Sequence, residues 1–363
     1  MPMNPASIPT FESTETDPWA RGREFGLAWA SDIEATCAGY ADLFRAQGAA
    51  DEQVRSWGLR AVGQLETWAP EMADEIAGIA DGANLELWRI GALNARTEII
   101  AALRARGGSE CSASVVVPEH GAPRTIQTWD WRDTLRHVPV AWSYDTGAGR
   151  AVRGFTEFGL LGKIGVNSDR VGVHFNILRH VSDHADIGVP VHAVARRILD
   201  RAGNIDDATT IARSAWTSAS SVISVVAVEN GRGRVRGLEL CPDGVGVVEP
   251  DADGFYAHTN HFLDSELASG ELQGIERPGT YQRLRHLRSH IDGLASEDLD
   301  RRVAAMRSHA VDGAAVCCHA SPEEPFHERS ETLATISLDL DVGQLWLHRG
   351  GPCQVSARTW QRC

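Results

Sequence analysis

The feature that most constrains the fold of this chain is the stretch Gly107–Trp131, where the character of the sequence changes. A glycine-rich approach ends at Cys111, which opens an alternating, β-branched run that is typical of a strand. Residues 118–123 are rich in turn formers, and residues 124–131 alternate well enough to form the returning strand. We therefore predict a β-hairpin that brings the thiol of Cys111 close to Asp130.

Upstream of this stretch the chain has the pattern of a helical segment. Residues 1–18 are polar and contain proline, and we expect them to form an irregular arm. From Trp19 to about Leu103, apolar residues recur at helical spacing, and proline and Asp-Gly mark the breaks. The predicted helices are Ala20–Phe44, Glu52–Trp68, Glu71–Ala80 and Leu85–Leu103.

Downstream of Cys111 the pattern becomes β with helical insertions. The predicted strands are Ala151–Phe158, Lys163–Val166, Gly172–Ile177, Val222–Val228, Arg234–Leu240, Gly244–Val248, Thr332–Leu340 and Gln344–His348. Helices are predicted over Val191–Arg201, Asp206–Ala215 and from Thr280 to about Ser308. Strand clusters that alternate with helix pairs indicate a layered α+β fold with sheets between helices, and no linker separates two independent domains.

Charge and composition exclude several classes of partner. The 363 residues carry a net charge of −14 and have a pI of about 5.4, so nucleic acid and anionic membrane surfaces are not expected partners. No apolar run approaches the length of a membrane span, and the N-terminus lacks the features of a secretory signal. The seven cysteines are an odd number, which fits reduced thiols better than a disulfide framework. We therefore expect a cytoplasmic protein.

Seven short motifs occur in a characteristic order along nearly the whole chain. They are ARGREFG at 20–26, PEMADEIAGIADGANL at 70–85, LNARTE at 93–98, ECSA at 110–113, TWDW at 128–131, TEFGLLGKIGVNSDRVGVHFNIL at 156–178 and AHTNHF at 257–262. Together they resemble segments of the acyl-coenzyme A:6-aminopenicillanic acid acyltransferase family. This family is also called isopenicillin N acyltransferase-like, or peptidase C45, and belongs to the N-terminal nucleophile hydrolases.

The resemblance implies both a fold and a maturation step. The implied fold is an αββα sandwich, in which two antiparallel sheets lie between helical layers. The chain would be made as a precursor that cuts itself between Glu110 and Cys111. Residues 1–110, a helical pro-segment, and residues 111–363, the catalytic part, would then remain tightly associated as two subunits of one globular unit.

The cut would convert Cys111 into a catalytic residue. A free α-amino group has a pKa of about 7.7–8.0 and can take a proton from the thiol, whose free pKa is about 8.5. In the precursor the same nitrogen is an amide and cannot act as a base. The resulting thiolate would attack a small-molecule acyl donor, an amide or a thioester, and water or an amine would then accept the acyl group.

The resemblance places further residues at the same site. Asp130 is expected to orient the α-amino group, and Asn260 is expected to donate a hydrogen bond to the oxyanion. The family's asparagine at the start of the TWDW motif is Thr128 here, so one amide donor is lost. Four further residues are predicted to contact the substrate: Asn176, Arg283, Trp129 and Trp131.

No metal ion and no cofactor are predicted. Histidines 180, 184, 192, 258 and 261 lack a recognisable zinc spacing, because no cysteine or carboxylate completes the set. The run Cys317-Cys318-His319 is a weak signal, since adjacent cysteines chelate one ion poorly.

Three hypotheses about function stay open at this level. The first is an autoprocessed cysteine amidohydrolase or acyltransferase, in which hydrolysis and acyl transfer share one acyl-enzyme and cannot be separated by sequence. The second is a catalytically inactive relative that serves as a binding or scaffold protein. The third is a metal-dependent hydrolase, for which chelators would abolish activity and Cys111→Ala would not.

Overall fold

A computed structural model describes residues 7–104 and 110–363, and its first third is helical. Pro18 and Pro70 each occupy a first helical position, where the missing N–H is not needed, and the Asp17 side chain caps the first helix. The helices of this region are α1 (Pro18–Ala28), α2 (Ala30–Ala46), α3 (Asp51–Trp68), α4 (Pro70–Ala83), α5 (Leu87–Asn94) and α6 (Arg96–Ala102).

Helices α1 and α4 pack backbone against backbone because glycines line their contact. A Cβ atom added at Gly22 would lie 2.1 Å from the carbonyl oxygen of Glu75, and one at Gly78 would lie 2.1 Å from that of Trp19. Only glycine permits such a close approach. The glycine spacing in ARGREFG and GIADGA therefore reflects helix packing.

The remaining two thirds of the described chain contain most of the strands. These strands, with one short strand near the N-terminus, are β1 (Thr10–Glu12), β2 (Ser112–Val116), β3 (Arg124–Arg132), β4 (Pro139–Asp145), β5 (Ala151–Glu157), β6 (Ile164–Asn167), β7 (Val171–Ile177), β8 (Ser221–Glu229), β9 (Arg232–Cys241), β10 (Gly244–Val248), β11 (Phe255–His258), β12 (Ser330–Asp339), β13 (Gln344–Arg349) and β14 (Gln361–Arg362). The helices among them are α7 (Val191–Arg201), α8 (Ile205–Ser214), α9 (Gln273–Glu276), α10 (Gly279–Ser289), α11 (Ile291–Leu294) and α12 (Leu299–Met306). Short 3-10 helices span Asp133–Leu135, Leu267–Gly270, Ala310–Asp312 and Pro352–Gln354.

The strands form two sheets that lie face to face. One has the order β1-β4-β5-β6-β7-β8-β9-β10, and the other has the order β11-β2-β3-β12-β13-β14. Helices α7 and α8 cover the first sheet, while α10 and α11 cover β2, β3 and β11 of the second. The central strands β3, β8 and β12 are buried on both faces, as the middle layers of a four-layer structure must be. This arrangement confirms the predicted α+β fold, an αββα sandwich.

Several predicted boundaries were wrong. The predicted arm 1–18 contains β1, which pairs in parallel with β4, so the first sheet is not purely antiparallel. The predicted helix Ala20–Phe44 breaks at Trp29, and Leu85–Leu103 breaks at Ala95. The predicted helix Thr280–Ser308 is three helices, α10 to α12. Strands β4, β11 and β14 were missed.

None of the helices in the described part of the chain is both long and apolar enough to cross a membrane.

Candidate active site

The hairpin of β2 and β3 positions Cys111 at the start of an inner strand. Ser112 is paired with Thr128, and the peptide N–H of Asp130 donates to Sγ of Cys111 at 3.3 Å. The predicted proximity of Cys111 and Asp130 is therefore confirmed. Cys111 is only 2% exposed, so its sulfur lies in the interior between the two sheets.

Two side chains hold the carbonyl group of Cys111 from the neighbouring elements. Asn176, on β7, donates from Nδ2 to this oxygen at 3.0 Å, and Arg283, on α10, donates from Nη1 at 2.7 Å. Asn176 also donates to the carbonyl oxygen of His258 at 3.3 Å, which ties β7 to β11. Two residues predicted to bind substrate thus contact the backbone of the candidate nucleophile.

Arg283 extends this contact to the residue before the nucleophile. Its Nη1 also donates to the carbonyl oxygen of Glu110 and, at 2.9 Å, to Oγ of Ser112. The guanidinium is 2% exposed, and its Nη2 donates to Oδ1 of Asn260 at 3.0 Å. A buried cation therefore faces the carbonyl of the Glu110–Cys111 peptide bond.

Asn260 lies two residues after the end of β11 and is fully buried. Its Nδ2 donates to the carbonyl oxygen of Ile177 at 2.8 Å, and its backbone N–H donates to Oγ1 of Thr280 at 2.8 Å. The structure brings Asn260 to the candidate site through Arg283. Its amide oxygen, not its amide nitrogen, faces the cation.

Asp130, on β3, is completely buried beside these groups. Burial raises the pKa of its carboxyl to about 8, although hydrogen bonding to Thr332 and the charge of Arg283 oppose the shift. The uncleaved chain therefore favours the protonated acid near neutral pH.

Glu110 differs from the other site residues because it reaches solvent. Its side chain is 20% exposed, and its carboxylate lies 3.6 Å from Nη1 of Arg277.

The two predicted tryptophans are enclosed by protein groups. Trp129 is 4% exposed and packs edge-to-face on Phe155, with ring centroids 5.3 Å apart. Trp131 is 2% exposed, and the guanidinium of Arg96 lies 5.2 Å from the centroid of its ring. Both rings contact other protein groups, and their contact with substrate remains a prediction.

A buried ionic cluster beneath these rings escaped the sequence analysis. Glu157 accepts hydrogen bonds from Arg96 at 2.6 Å and from Lys163 at 2.5 Å, and Tyr40 also donates to it. Nζ of Lys163 lies 3.4 Å from the centroid of the Trp129 ring. Burial lowers the pKa of Lys163 to about 7, and the nearby Cys111 is one of the groups that oppose this shift.

The sequence did contain a signal for this cluster. Lys163 is the sole lysine of the chain, in which lysines and arginines together number 35. A lysine can lose its proton near neutral pH when it is buried, whereas an arginine cannot.

The chain is similar to a family of acyltransferases. The model of the family described as acyl-coenzyme A:6-aminopenicillanic acid acyl-transferase matches residues 126–354, a range that begins after Cys111 and includes Asp130, Asn176, Asn260 and Arg283. The acyl-coenzyme A:6-aminopenicillanic-acid-acyltransferase 40 kDa form of Emericella nidulans is 30% identical over 227 residues. That match covers 62% of this chain and 61% of the relative's length.

Two solved structures are similar at lower identity. Penicillin V acylase from Agrobacterium tumefaciens is 14% identical with a TM-score of 0.47, and the match covers 69% of this chain and 84% of the acylase. The Caenorhabditis elegans ortholog of N-acylethanolamine-hydrolyzing acid amidase is 14% identical with a TM-score of 0.43, and the match covers 63% of this chain and 93% of the amidase.

Proposed function

Because the chain belongs to the acyl-coenzyme A:6-aminopenicillanic acid acyl-transferase family, we propose that it cleaves or exchanges the amide bond of small N-acyl compounds through the thiol of Cys111. Maturation in this proposal is self-cleavage between Glu110 and Cys111. The substrate is an acyl donor, an amide or a thioester, and the acceptor is water or an amine. No metal or cofactor takes part in this chemistry.

The observation that carries the proposal is the position of Arg283. Its buried guanidinium donates to the carbonyl oxygens of both Glu110 and Cys111. Attack on the Glu110 carbonyl carbon would place negative charge on an oxygen that already accepts from a cation. A preorganised donor of this kind stabilises the transition state more than the ground state.

Self-cleavage proceeds in two steps, transfer of the acyl group to sulfur and hydrolysis of the thioester. Sγ of Cys111 loses its proton and attacks the carbonyl carbon of Glu110, the C–N bond breaks, and the nitrogen of Cys111 gains a proton. The product is a thioester between Glu110 and the side chain of Cys111. Water then attacks the thioester, which releases the carboxyl group of Glu110 and regenerates the thiol beside a free α-amino group.

Turnover repeats this chemistry on an external substrate. The α-amino group of Cys111 accepts the thiol proton, and the thiolate attacks the carbonyl carbon of the acyl donor. The proton passes to the leaving group, and a thioester of Cys111 remains. Water or an amine then attacks the thioester, and the thiol is restored.

Contacts that cross the cut support the association of the two fragments. Glu75 on α4 forms a buried ion pair with Arg196 on α7, at 2.9 Å. Phe25 on α1 stacks on Trp142 of β4, with centroids 4.3 Å apart. Buried contacts of both kinds would hold residues 1–110 against residues 111–363 after cleavage.

The test is the mass of the purified protein, followed by an acyl-donor screen with and without amine acceptors. We expect two fragments, the second beginning at Cys111, and amide turnover by this material. Cys111→Ala should remain one inactive chain, while Cys363→Ala, which alters a distant thiol, should process normally. A full-length wild-type chain without turnover would support an inactive scaffold instead. Active Cys111→Ala that chelators inhibit would support a metal-dependent hydrolase.

A further inference from the structure

Three metal-ligating side chains meet at the surface, away from the motifs that define the candidate active site. They are His309, His319 and Cys353, and their ligand atoms all lie within 4.8 Å of one another. His309 immediately precedes the 3-10 helix Ala310–Asp312, and His319 lies seven residues after its end. Cys353 belongs to the 3-10 helix Pro352–Gln354. The fold thus brings a thiol to a histidine pair that lies more than thirty positions earlier in the sequence.

One pair of donors already has the separation that a tetrahedral ion requires. Nε2 of His319 lies 3.5 Å from Sγ of Cys353. Zinc bonds of about 2.0–2.1 Å to nitrogen and about 2.3 Å to sulfur, at a tetrahedral angle, separate the two donors by about 3.5 Å. The rings of His309 and His319 are nearly parallel, at 22° with centroids 5.3 Å apart, and a ligand atom of each lies within 4.8 Å of the other.

A carboxylate orients one of the two histidines. Nδ1 of His309 lies 3.3 Å from Oδ2 of Asp312, and the same oxygen accepts from the backbone N–H of His309 at 3.0 Å. This contact leaves Nε2 of His309 as the nitrogen that can ligate. A histidine that binds a metal through one nitrogen usually donates from the other to a carboxylate or carbonyl.

We propose that Nε2 of His309, Nε2 of His319 and Sγ of Cys353 form a Zn²⁺ site whose fourth position is open to solvent. Two imidazoles and a thiolate suit a borderline-soft, tetrahedral ion, and not Mg²⁺ or Ca²⁺, which prefer oxygen ligands. His319 is exposed and Cys353 is partly exposed, so the ion has access from solvent. The proposal departs from the sequence prediction that the chain binds no metal.

The proposed ion would anchor a segment that reaches the candidate active site. His319 follows Cys318, whose backbone N–H donates to Oγ1 of Thr332 at 3.0 Å. Thr332 is paired with Asp130 across β12 and β3. Cys318, His319 and Thr332 also line one cavity of about 330 Å³. Zinc would therefore fasten the turn 352–354 to a wall of this cavity, and it would raise the melting temperature of the protein.

The test titrates Zn²⁺ into full-length protein that has been freed of metal with a chelator. We expect one bound ion per chain, a rise in melting temperature, and a thiolate charge-transfer band when Co²⁺ replaces Zn²⁺. Cys353→Ser should abolish the band, and His319→Ala should weaken Zn²⁺ binding more than Asp312→Ala, which should weaken it roughly 10–100-fold. Cys111→Ala and Cys363→Ser are matched controls that should bind Zn²⁺ like the parent.

Three outcomes would overturn the proposal. The first is the absence of stoichiometric Zn²⁺ binding by the parent protein. The second is unchanged binding by folded Cys353→Ser and His319→Ala, or loss of binding in Cys111→Ala. The third is a disulfide between Cys353 and Cys317, whose side chains interact, in protein purified under reducing conditions, because it would remove the thiolate ligand. Melting curves of each variant without metal show whether it is folded.

Discussion

Arg283 and Asn260 are joined by a hydrogen bond in which Nη2 of the arginine donates to Oδ1 of the asparagine at 3.0 Å. The amide nitrogen of Asn260 consequently faces Ile177, to whose carbonyl oxygen it donates at 2.8 Å. In the uncleaved chain, the donor that contacts the carbonyl of Glu110 is therefore Arg283. Asn260 accepts a hydrogen bond from that guanidinium, and its role as the oxyanion donor stays a prediction.

Arg283→Met should slow self-cleavage by roughly 10²–10³-fold, the usual loss when one oxyanion donor is removed. Arg283→Lys should cleave at an intermediate rate, because it keeps the charge but cannot contact two carbonyls and Asn260 with one planar group. The measurement is a time course of fragment appearance on denaturing gels after synthesis of the precursor. Arg285→Met alters an exposed arginine of the same helix and should process normally. Unimpaired processing of Arg283→Met would contradict the proposed role.

Lys163 is expected to set the pH dependence of turnover. Its ammonium group lies under Trp129, and its charge interacts favourably with the thiolate form of Cys111. Lys163→Met should raise the pKa of the thiol, so that kcat/KM begins to rise at higher pH. The checks are the pH profile of kcat/KM and the pH dependence of Cys111 alkylation in the cleaved enzyme.

The matched control for Lys163 is Arg55→Met, which removes a cation that pairs with Glu86 on the surface. Its pH profile should coincide with that of the parent. A Lys163→Met enzyme that loses rate equally at every pH would show that the lysine is structural and has no influence on the thiol.

Local sequence patterns predicted the hairpin, but they could not predict contacts between segments that are distant in the sequence. Alternation and the turn formers of residues 118–123 were enough to place Cys111 beside Asp130. Strand β4 was missed because it begins with proline and lacks clear alternation, and β11 was missed because it leads into the polar HTNHF segment. The site residues Asn176, Asn260 and Arg283 came from the family resemblance, and no local pattern required them.

The ionic cluster and the metal-ligating triad show the same limit. Tyr40 reaches Glu157 across 117 positions, and His319 reaches Cys353 across 34. The packing of α2 on the first sheet brings Tyr40 to Glu157, and the packing of one turn on another brings His319 to Cys353. A single sequence records the residue types but not which strands and turns become neighbours.

Asp130 should make the uncleaved chain less stable as the pH rises. The pKa of its carboxyl is raised to about 8 by burial, from an ordinary value of 3.8. The folded state therefore holds a proton that the unfolded state has released, and stability falls between about pH 4 and pH 8. In a Cys111→Ala background, which prevents cleavage, Asp130→Asn should remove this fall. Urea denaturation at pH 5 and pH 8 measures the difference.

The control for this experiment is Asp292→Asn, which alters an exposed carboxylate. It should leave the pH dependence of the free energy of unfolding unchanged. If Asp130→Asn shows the same fall in stability between pH 5 and pH 8 as its parent, another buried group must cause it.

Glu75 is expected to hold the two fragments together. Its carboxylate accepts from Arg196 at 2.9 Å and from Arg21 at 2.5 Å, and all three side chains are at most 4% exposed. Glu75→Gln removes the carboxylate that pairs with the buried guanidinium groups of Arg21 and Arg196. The carboxylate that remains in this network is that of Asp200, which lies 3.0 Å from Arg196. The loss of a buried ionic partner costs about 3–5 kcal/mol. Urea should therefore dissociate the cleaved fragments of this variant at a lower concentration.

Size-exclusion chromatography in increasing urea follows the dissociation of the fragments directly. Glu71→Gln is the matched control, because Glu71 lies on the same helix and pairs with Arg201, whose side chain is 53% exposed. A surface pair of this kind contributes about 0–1 kcal/mol, so the control should dissociate close to the urea concentration of the parent. Equal shifts for the two variants would mean that the buried pair between α4 and α7 is not what holds residues 1–110 to the rest of the chain.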